Sequence, residues 1–390
     1  MKNLHFLIFI ICSCSPEPSE VKRQIEIVDA QFEMLELPVE PPYMNYYFEG
    51  YKTTTIDNID YLVGLNFMRN QLDFINLTNP GDNFGIPVRR EGPDQVKSYL
   101  TSIEFNGNEF VIVTRSNVYY GLVNIAEENY RIVHEFTFLP DYRNSAVSSN
   151  IRTFPASTIT WSMDQEDIYI PIYPSIIVTD KSFVDGKSLV RINKRSGDFE
   201  IIDIGLPKLL RGEEGSTFPY SIQAYNYQNS ERVFLSYPFT DTVYVYDKSN
   251  YSLAETWTTS LKEFENLVVL QDIPYEKLYL GDPGQIDLFN KSGMFGPFKY
   301  NKQREVYYRL VKDRYPIEGL ETNAYQISRS TAKWLVEYDL GGEILTVRKL
   351  PKTFDLTPVV VNGDYLFPLI SGENDKEDIM QLARVEGYSI

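Results

Sequence analysis

Basic and aromatic side chains recur at the ends of several short apolar segments. They are the residues in this sequence best suited to bind a ligand. The segments are rich in Tyr, Phe, Val and Ile and end in FMRN, VTRS, PIYP, SYPFTD, RLVKDR and LISGEN. Guanidinium and ammonium groups bind carboxylates, and tyrosine rings offer flat apolar faces. If the segment ends converge, they form a site for an anionic ligand such as a sugar acid or a peptide carboxylate. The candidate ligand-binding residues are Arg69, Arg115, Tyr173, Tyr237, Lys312 and Arg314.

The sequence contains few residues that could support thiol or histidine chemistry. The 390 residues include two cysteines, Cys12 and Cys14, and two histidines, His5 and His134. A single residue between two cysteines does not suit normal disulfide geometry, and a zinc site needs about four ligands. His134 lies in the alternating stretch YRIVHEFTF, which places it on one face of a strand. No catalytic residues are therefore assigned.

Metal and cofactor sites are not expected either. The acidic run SGENDKEDIM, residues 371–380, has the oxygen ligands that calcium prefers, but it lacks the order of an EF-hand loop. A solvated acidic turn is the simpler interpretation. No phosphate-binding loop and no dinucleotide-binding fingerprint occurs. The sequence predicts no metal and no cofactor.

The net charge of −17 limits the partners. Nothing in so acidic a chain attracts it to a phosphate backbone, so nucleic acid is excluded as a partner. The 29 Tyr and 23 Phe residues favour strands. On an acidic chain, basic side chains that converge would stand out, whereas the alternative is that they extend into solvent or pair with local acids.

The first thirteen residues have the features of an export signal. Lys2 precedes an apolar run from Leu4 to Ile11, which is much shorter than the roughly 20 residues that span a bilayer. The stretch resembles a bacterial lipoprotein signal, with Ile11, small residues and then Cys14 as the lipidated residue. The alternative is an uncleaved anchor with two idle thiols. We expect residues 1–13 to be a signal peptide and residues 14–23 to be the lipidated cysteine and its tether.

This prediction implies a location. The protein would be anchored to the cell-envelope membrane through lipid, with the Pro-rich SPEPSE stretch as a short tether. Ser15, rather than Asp, follows the cysteine. That residue gives no signal for inner-membrane retention, and the expected location is the outer membrane.

The segments that must position these residues repeat along the chain. Six units contain a polar turn followed by an aromatic-rich strand, and the turns are DNID, NGNE, DQED, QNSE, KQRE and NGD. The second strands of the units are predicted to begin near Asp60, Glu109, Asp167, Glu231, Glu305 and Asp364. Their spacing of about sixty residues is that of propeller blades with long loops. The sequence predicts an all-β fold, a six-bladed β-propeller; a pair of β-sandwiches or a smaller blade number are the alternatives.

The last unit has three strands, and an unused strand lies near the N-terminus. Residues 24–37 alternate cleanly between polar and apolar side chains. Pairing them with DIMQLARVEG in the last unit closes the ring and leaves no open sheet edge. Residues 24–390 are thus expected to form one propeller domain, with insertions near 261–294 and 313–333. Long loops on a rigid scaffold often carry function, so these insertions are further places to look for binding determinants.

Several segments resemble an uncharacterised bacterial lipoprotein family, the domain of unknown function 4221. They are FPYSI, SYPFTDTVYVYD, GPFKYNKQREVYYRLV and WLVEYDLGGEIL. The resemblance covers nearly all of the chain after the signal peptide and implies a propeller-like fold. It implies no activity.

Two functions remain compatible with these features. The first is a lipid-anchored propeller that acts as a binding or interaction module for an envelope protein or a glycan. The alternative is a propeller enzyme, a lyase or hydrolase acting on a carbohydrate or a small anionic substrate.

Overall fold

Runs of Val, Ile, Phe and Tyr form the strands of the computed structural model, and they are buried because neighbouring sheets cover both faces. The structure describes residues 25–38, 52–66, 69–97, 100–114, 117–137, 142–144, 162–164, 166–174, 189–204, 225–238, 240–259, 261, 264, 292–315, 330–354, 358–368 and 379–387. Within these ranges the chain forms 27 strands, β1 to β27, which are arranged in six sheets.

The first two strands belong to the last two sheets: they are β1 (Ile27–Asp29) and β2 (Glu33–Pro38). Blade 1 consists of β3 (Lys52–Ile56), β4 (Ile59–Asn66), β5 (Gln71–Asn76) and β6 (Phe84–Pro87). Blade 2 consists of β7 (Leu100–Asn106), β8 (Glu109–Thr114), β9 (Asn117–Asn124) and β10 (Asn129–Thr137).

Blades 3 and 4 follow in chain order. Blade 3 consists of β11 (Tyr142–Asn144), β12 (Ser162–Met163), β13 (Asp167–Pro174), β14 (Leu189–Asn193) and β15 (Phe199–Ile202). Blade 4 consists of β16 (Tyr225–Gln228), β17 (Arg232–Ser236), β18 (Thr242–Asp247) and β19 (Leu253–Thr258).

Blades 5 and 6 complete the ring. Blade 5 consists of β20 (Met294–Phe295), β21 (Lys299–Asn301), β22 (Val306–Lys312), β23 (Lys333–Tyr338), β24 (Ile344–Leu350) and the N-terminal β1. Blade 6 consists of β25 (Val359–Val361), β26 (Asp364–Pro368), β27 (Ile379–Val385) and the N-terminal β2. The six-bladed propeller predicted from the sequence is confirmed.

The N-terminal segment closes the ring, as predicted, but as two strands rather than one. β2 pairs antiparallel with β27, with Leu35 opposite Leu382. β1 pairs parallel with β24, with Val28 opposite Arg348. The segment therefore completes blade 5 first and then crosses to blade 6, so that its alternating pattern serves two sheets.

Tight turns separate the first and second strands of the blades. In blades 1 and 6 both turn residues have positive φ: Asp57 and Asn58 in one, Asn362 and Gly363 in the other. Asn, Asp and Gly tolerate this left-handed conformation, which two-residue hairpin turns require. The polar turns that marked the six units in the sequence thus have a direct physical reason in these two blades.

Each blade is joined to the next by a hydrogen bond or ion pair at or beside these turns. The six links are Thr54 to the Gly107 carbonyl (2.6 Å), Lys194 to Glu109 (2.6 Å), Lys248 to Asp164 (2.5 Å), Asn229 to the Tyr307 hydroxyl (3.2 Å), Arg304 to Asp364 (3.1 Å) and Asn362 to Asp60 (3.0 Å). Apolar clusters fill the space between the sheets beyond them.

Other sequence predictions fall wholly or largely outside the described part of the chain. Cys12, Cys14, the tether and the acidic run are among these, as is most of both predicted insertions. In the segments that the structure does describe, no helix is long and apolar enough to cross a membrane.

Candidate functional site

Two of the residues predicted to bind a ligand lie exposed at strand ends. Arg69 follows β4, and its backbone N–H donates to the Asn66 side chain (3.1 Å). Arg314 follows β22, and its backbone N–H donates to the Asp313 carboxylate (2.7 Å). Both residues are exposed, and their role in binding a ligand stays a prediction.

Tyr237 occupies a different environment, because it is fully buried after the end of β17. Its ring packs edge to face against Tyr244, with ring centroids 6.0 Å apart. Its carbonyl accepts a hydrogen bond from Arg309 (3.1 Å). In this structure Tyr237 supports the packing between blades 4 and 5 and has no solvent-accessible face for a ligand.

Lys312 is also buried, with 3% of its surface exposed. It lies opposite Lys333 across β22 and β23. Burial, and secondly the nearby Lys333 ammonium, lower the pKa of Lys312 to about 7. The Lys333 ammonium donates to the carbonyls of Lys352 (2.7 Å) and Phe354 (2.6 Å).

The remaining two predicted residues are not placed in detail. Arg115 lies outside the described residues, and of Tyr173 only the main chain in β13, opposite Arg143, is described. The assignment of these six residues to one ligand site therefore stays a prediction.

A different group of charges lies on the innermost strands, which surround the propeller axis. Lys52, the first residue of β3, forms an ion pair with Glu104 of β7 (2.8 Å). The Lys52 side chain is almost completely buried, while the Glu104 side chain is partly exposed. This pair joins blades 1 and 2 at the channel wall.

Lys299, the first residue of β21, is the third charge in this group. It lies opposite Tyr308 of β22 and is half-buried. Burial, and secondly the Lys52 ammonium, lower the pKa of Lys299 to about 8, although Glu104 acts in the opposite direction. Within the described ranges, the Lys299 ammonium has no hydrogen-bond acceptor and no carboxylate in ion-pair contact. We call Lys52, Glu104 and Lys299 the channel cluster.

A buried polar network lies directly behind the channel cluster. Tyr308 packs edge to face on Tyr365 of blade 6, with ring centroids 4.9 Å apart. The Tyr365 hydroxyl donates to Glu337 (2.8 Å), and the other carboxylate oxygen of Glu337 accepts from Arg348 (2.7 Å). Burial raises the pKa of both Tyr308 and Tyr365, so both side chains remain neutral.

The channel cluster has a net positive charge on a chain whose net charge is −17. Two ammonium groups face one carboxylate, and one of the ammonium groups, that of Lys299, is unpaired among the described residues. An anionic ligand could pair with it in a partly dehydrated site, where electrostatic attraction is stronger than in water. Among the described residues, no group of three or more His, Cys, Asp or Glu side chains could hold a metal ion.

The sequence did not single out the channel cluster. Lys52 begins β3, the first strand of blade 1, and Lys299 begins β21 of blade 5, in the stretches YKTTTI and FKYNKQRE. A lysine at the start of an inner strand, a few residues before the polar turn, is the sequence feature that could have indicated this site. The second-strand ends drew attention instead because more basic residues occur there.

The fold and the channel cluster together define the class of protein: a six-bladed propeller with a basic group on its axial channel. Residues 42–331 match the family described as Domain of unknown function (DUF4221). This match covers well over half of the chain, and the chain belongs to that family, as its resemblance predicted.

One of the similar solved structures supports the fold. The crystal structure of a DUF4221 family member from Bacteroides vulgatus is similar with a TM-score of 0.66 and 13% identity, over 93% of this chain and 98% of that chain. An oligogalacturonate lyase in complex with manganese has a TM-score of 0.45 and 10% identity, over 93% and 98% of the two chains. A streptogramin B lyase has a TM-score of 0.38 and 8% identity, over 91% and 98%. The last two similarities are too distant to say anything about function, and no curated protein matches the chain.

Proposed function

We propose that this protein is a lipid-anchored propeller of the cell envelope that binds an anionic ligand at the channel cluster. The ligand class is a carboxylate carried by a sugar or a peptide. The protein acts as a binding or interaction module, and the channel supplies the recognition.

The observation that carries this proposal is the Lys299 ammonium. A buried cation is costly unless it is paired, and the pKa of Lys299 is lowered because no described carboxylate lies in ion-pair contact with it to offset burial. A bound carboxylate supplies the missing partner. The adjacent Lys52–Glu104 pair holds the neighbouring charges in place, because Glu104 already accepts from Lys52 (2.8 Å).

A ligand screen tests the binding proposal. Thermal shift is measured with a set of uronic acids and short peptides, together with neutral sugars and peptide amides of the same size. We expect shifts from the acids and none from their neutral counterparts. Lys299→Met should abolish these shifts, whereas Lys302→Met, an exposed lysine in the adjacent turn, should retain them. Equal responses of the two variants would refute the channel as the site.

The same screen addresses the enzyme alternative. Ligands that shift the melting temperature are incubated with the protein, and the products are analysed by mass spectrometry. Recovery of intact ligand supports a binding module. Cleavage or elimination products that disappear in Lys299→Met would replace the binding module by a propeller lyase or hydrolase.

The membrane anchor has separate support in the N-terminal sequence. The short apolar run ending at Ile11, followed by Cys14 and the polar SPEPSE stretch, suits a lipidated cysteine with a tether. Mass spectrometry of membrane-extracted protein should find lipid on Cys14, and Cys14→Ala should release the protein into the soluble fraction. A wild-type protein without lipid mass would remove the anchor from the proposal and leave channel binding untouched.

A further inference from the structure

A cleft on the outer rim of the propeller is separate from the axial channel. It has a volume of about 960 Å³ and lies where β1 and β24 of blade 5 face the start of β2 and the end of β27 of blade 6. We propose that this rim cleft binds an extended basic peptide segment of a partner protein, which adds a strand to the outer edge of β1. This interaction goes beyond the channel site and does not depend on it.

No described strand pairs with the outer edge of β1. β1 is the outermost strand of blade 5, and within the described residues no strand pairs with its second edge. The Ala30 N–H donates to the Lys349 carbonyl (2.9 Å), and Val28 lies opposite Arg348 in the parallel register. Because main-chain groups of successive residues point to opposite edges of a strand, Ile27 and Asp29 present their N–H and C=O groups outward. An extended peptide can use these groups in the manner of strand addition.

The lining of the rim cleft selects for positive charge. Four carboxylates and two guanidinium groups line it, and the carboxylates belong to Glu26, Asp29, Glu33 and Glu386. Both guanidinium groups already have partners. Arg348 donates to the buried Glu337 (2.7 Å) and to the Glu386 carbonyl, and Arg384 pairs with Glu33 (3.3 Å). The lining is therefore net acidic toward an incoming segment, and a basic partner is the complementary one.

Apolar side chains in the rim cleft provide positions for alternate residues of such a peptide. Val28 is 42% exposed and Phe32 is 47% exposed, and both line the cleft. Phe32 is supported from behind by the buried Phe354, with ring centroids 5.1 Å apart in an edge-to-face arrangement. An exposed apolar surface next to an unpaired strand edge is a recognised liability in a protein that acts alone, and a bound strand removes it.

Other occupants fit the rim cleft less well. A small anion finds no uncommitted guanidinium among the described lining residues, and an anionic membrane surface is repelled by the four carboxylates. Self-pairing of two β1 edges brings two acidic linings together. A zwitterionic lipid surface and a second copy of this chain are the two other occupants that the experiment must distinguish from a basic peptide.

The test uses the purified full chain and three labelled heptapeptides. One alternates Lys and Val, the second alternates Glu and Val, and the third alternates Lys and Pro, which keeps the charge but removes the N–H donor of every second residue. Fluorescence anisotropy should show that the Lys/Val peptide binds at least tenfold more tightly than either of the others. Equal binding of the Lys/Val and Lys/Pro peptides would reduce the interaction to charge alone and overturn strand addition.

Variants locate the interaction. Asp29→Pro, which removes an outward N–H, should weaken Lys/Val binding about tenfold, whereas Asp29→Asn, which keeps it, should weaken binding about threefold or less. Phe32→Ser should weaken binding about fivefold, and Phe199→Ser, an equally exposed position on the outer strand β15, should have no effect. If Asp29→Pro fails to fold, the comparison of Phe32→Ser with Phe199→Ser decides whether the peptide binds in the rim cleft.

Two further outcomes contradict the proposal. Phosphatidylcholine vesicles that displace the Lys/Val peptide in a Phe32-dependent way would assign the rim cleft to a lipid surface. Self-association in light scattering that Phe32→Ser abolishes would assign it to a second copy of the chain.

Discussion

The interface between blades 4 and 5 and the axial channel treat buried cations in opposite ways. At the interface, the fully buried Arg309 of β22 has every branch of its guanidinium group occupied. It donates to the carbonyls of Gly296 (3.0 Å), Asp241 (3.0 Å), Thr240 (2.9 Å) and Tyr237 (3.1 Å). In the channel, Lys299 begins an inner strand without an acceptor among the described residues. The hydrogen bonds of Arg309 stabilise the interface, whereas the unpaired charge of Lys299 in the channel does not stabilise the fold.

The interface between blades 5 and 6 extends the same comparison. Glu337, also fully buried, accepts from both Tyr365 and Arg348. Its environment supplies a cation and a neutral donor, so the carboxylate is satisfied on both oxygens. These buried charges between the blades have partners, whereas Lys299 on the channel wall has none among the described residues. Four substitutions test whether this division is real.

Arg309→Met should have the largest effect. It removes four hydrogen bonds from a buried guanidinium group to backbone carbonyls, and we expect a loss of about 3 kcal/mol of unfolding free energy. Urea denaturation measures the change, with the exposed Arg69→Met as a control that should stay within about 0.5 kcal/mol of wild type. A loss below about 1 kcal/mol would show that the interface does not depend on this arginine.

Glu337→Gln should have the second largest effect. The amide oxygen still accepts a hydrogen bond, but the negative charge opposite Arg348 is lost, and we expect a decrease of about 2 kcal/mol. Glu343→Gln, in the exposed turn before β24, is the matched control. If both variants unfold at the same urea concentration, the buried pair contributes specificity rather than stability.

Lys248→Met should have a smaller effect, because its ion pair with Asp164 is partly exposed. We expect a loss of about 1 kcal/mol at pH 7. Burial alone raises the pKa of Asp164, but the Lys248 ammonium and two backbone N–H donors outweigh burial and lower it below 3.8. A carboxylate with a depressed pKa stabilises the fold above its unfolded value and loses this contribution as the pH falls. The difference between wild type and variant should therefore shrink below about pH 4, as followed by thermal unfolding.

Lys299→Met should have an effect similar in size to that of Lys248→Met but of opposite sign. Removing an unpaired, partly buried charge should raise the unfolding free energy by about 1 kcal/mol at pH 7. The folded-state pKa of about 8 lies below the ordinary 10.5, so the folded chain binds fewer protons than the unfolded chain between these values. The contribution of Lys299 to stability thus rises with pH across this window, and the advantage of the variant should disappear above pH 10.5. A destabilised variant would mean that Lys299 is paired within the fold.

The sequence was sufficient to predict the architecture because each blade repeats a local pattern. The second strands of the six blades begin at Ile59, Glu109, Asp167, Arg232, Val306 and Asp364, each within one residue of the predicted start. A polar turn followed by an aromatic-rich strand can be recognised in the sequence of each blade separately. Ring closure was predicted from a count of strands, but the crossing of the N-terminal segment between two blades was not, because a parallel strand of three residues has no pattern of its own.

The site was less predictable, because it depends on which blades face one another across the axis. Arg69 and Tyr237 both follow second strands, yet one is exposed and the other is buried beneath Arg309. Strand position alone cannot distinguish these outcomes. Likewise, the pairing of Lys52 with Glu104, 52 residues apart, follows from the packing of blade 1 against blade 2, and no spacing rule along the sequence reveals it.

The two-strand closure also has a consequence for how the chain folds. Glu36 of β2 accepts a hydrogen bond from Gln381 of β27, which is 345 residues further along. The entropy lost on closing a loop grows with the logarithm of its length, and non-local pairing of this kind slows folding. Blades 1 to 4 each pair neighbouring segments and can form early. Blades 5 and 6 are complete only when the N-terminal strands β1 and β2 pair with them. The rate at which this segment is captured should therefore set the time at which the ring becomes resistant to proteases.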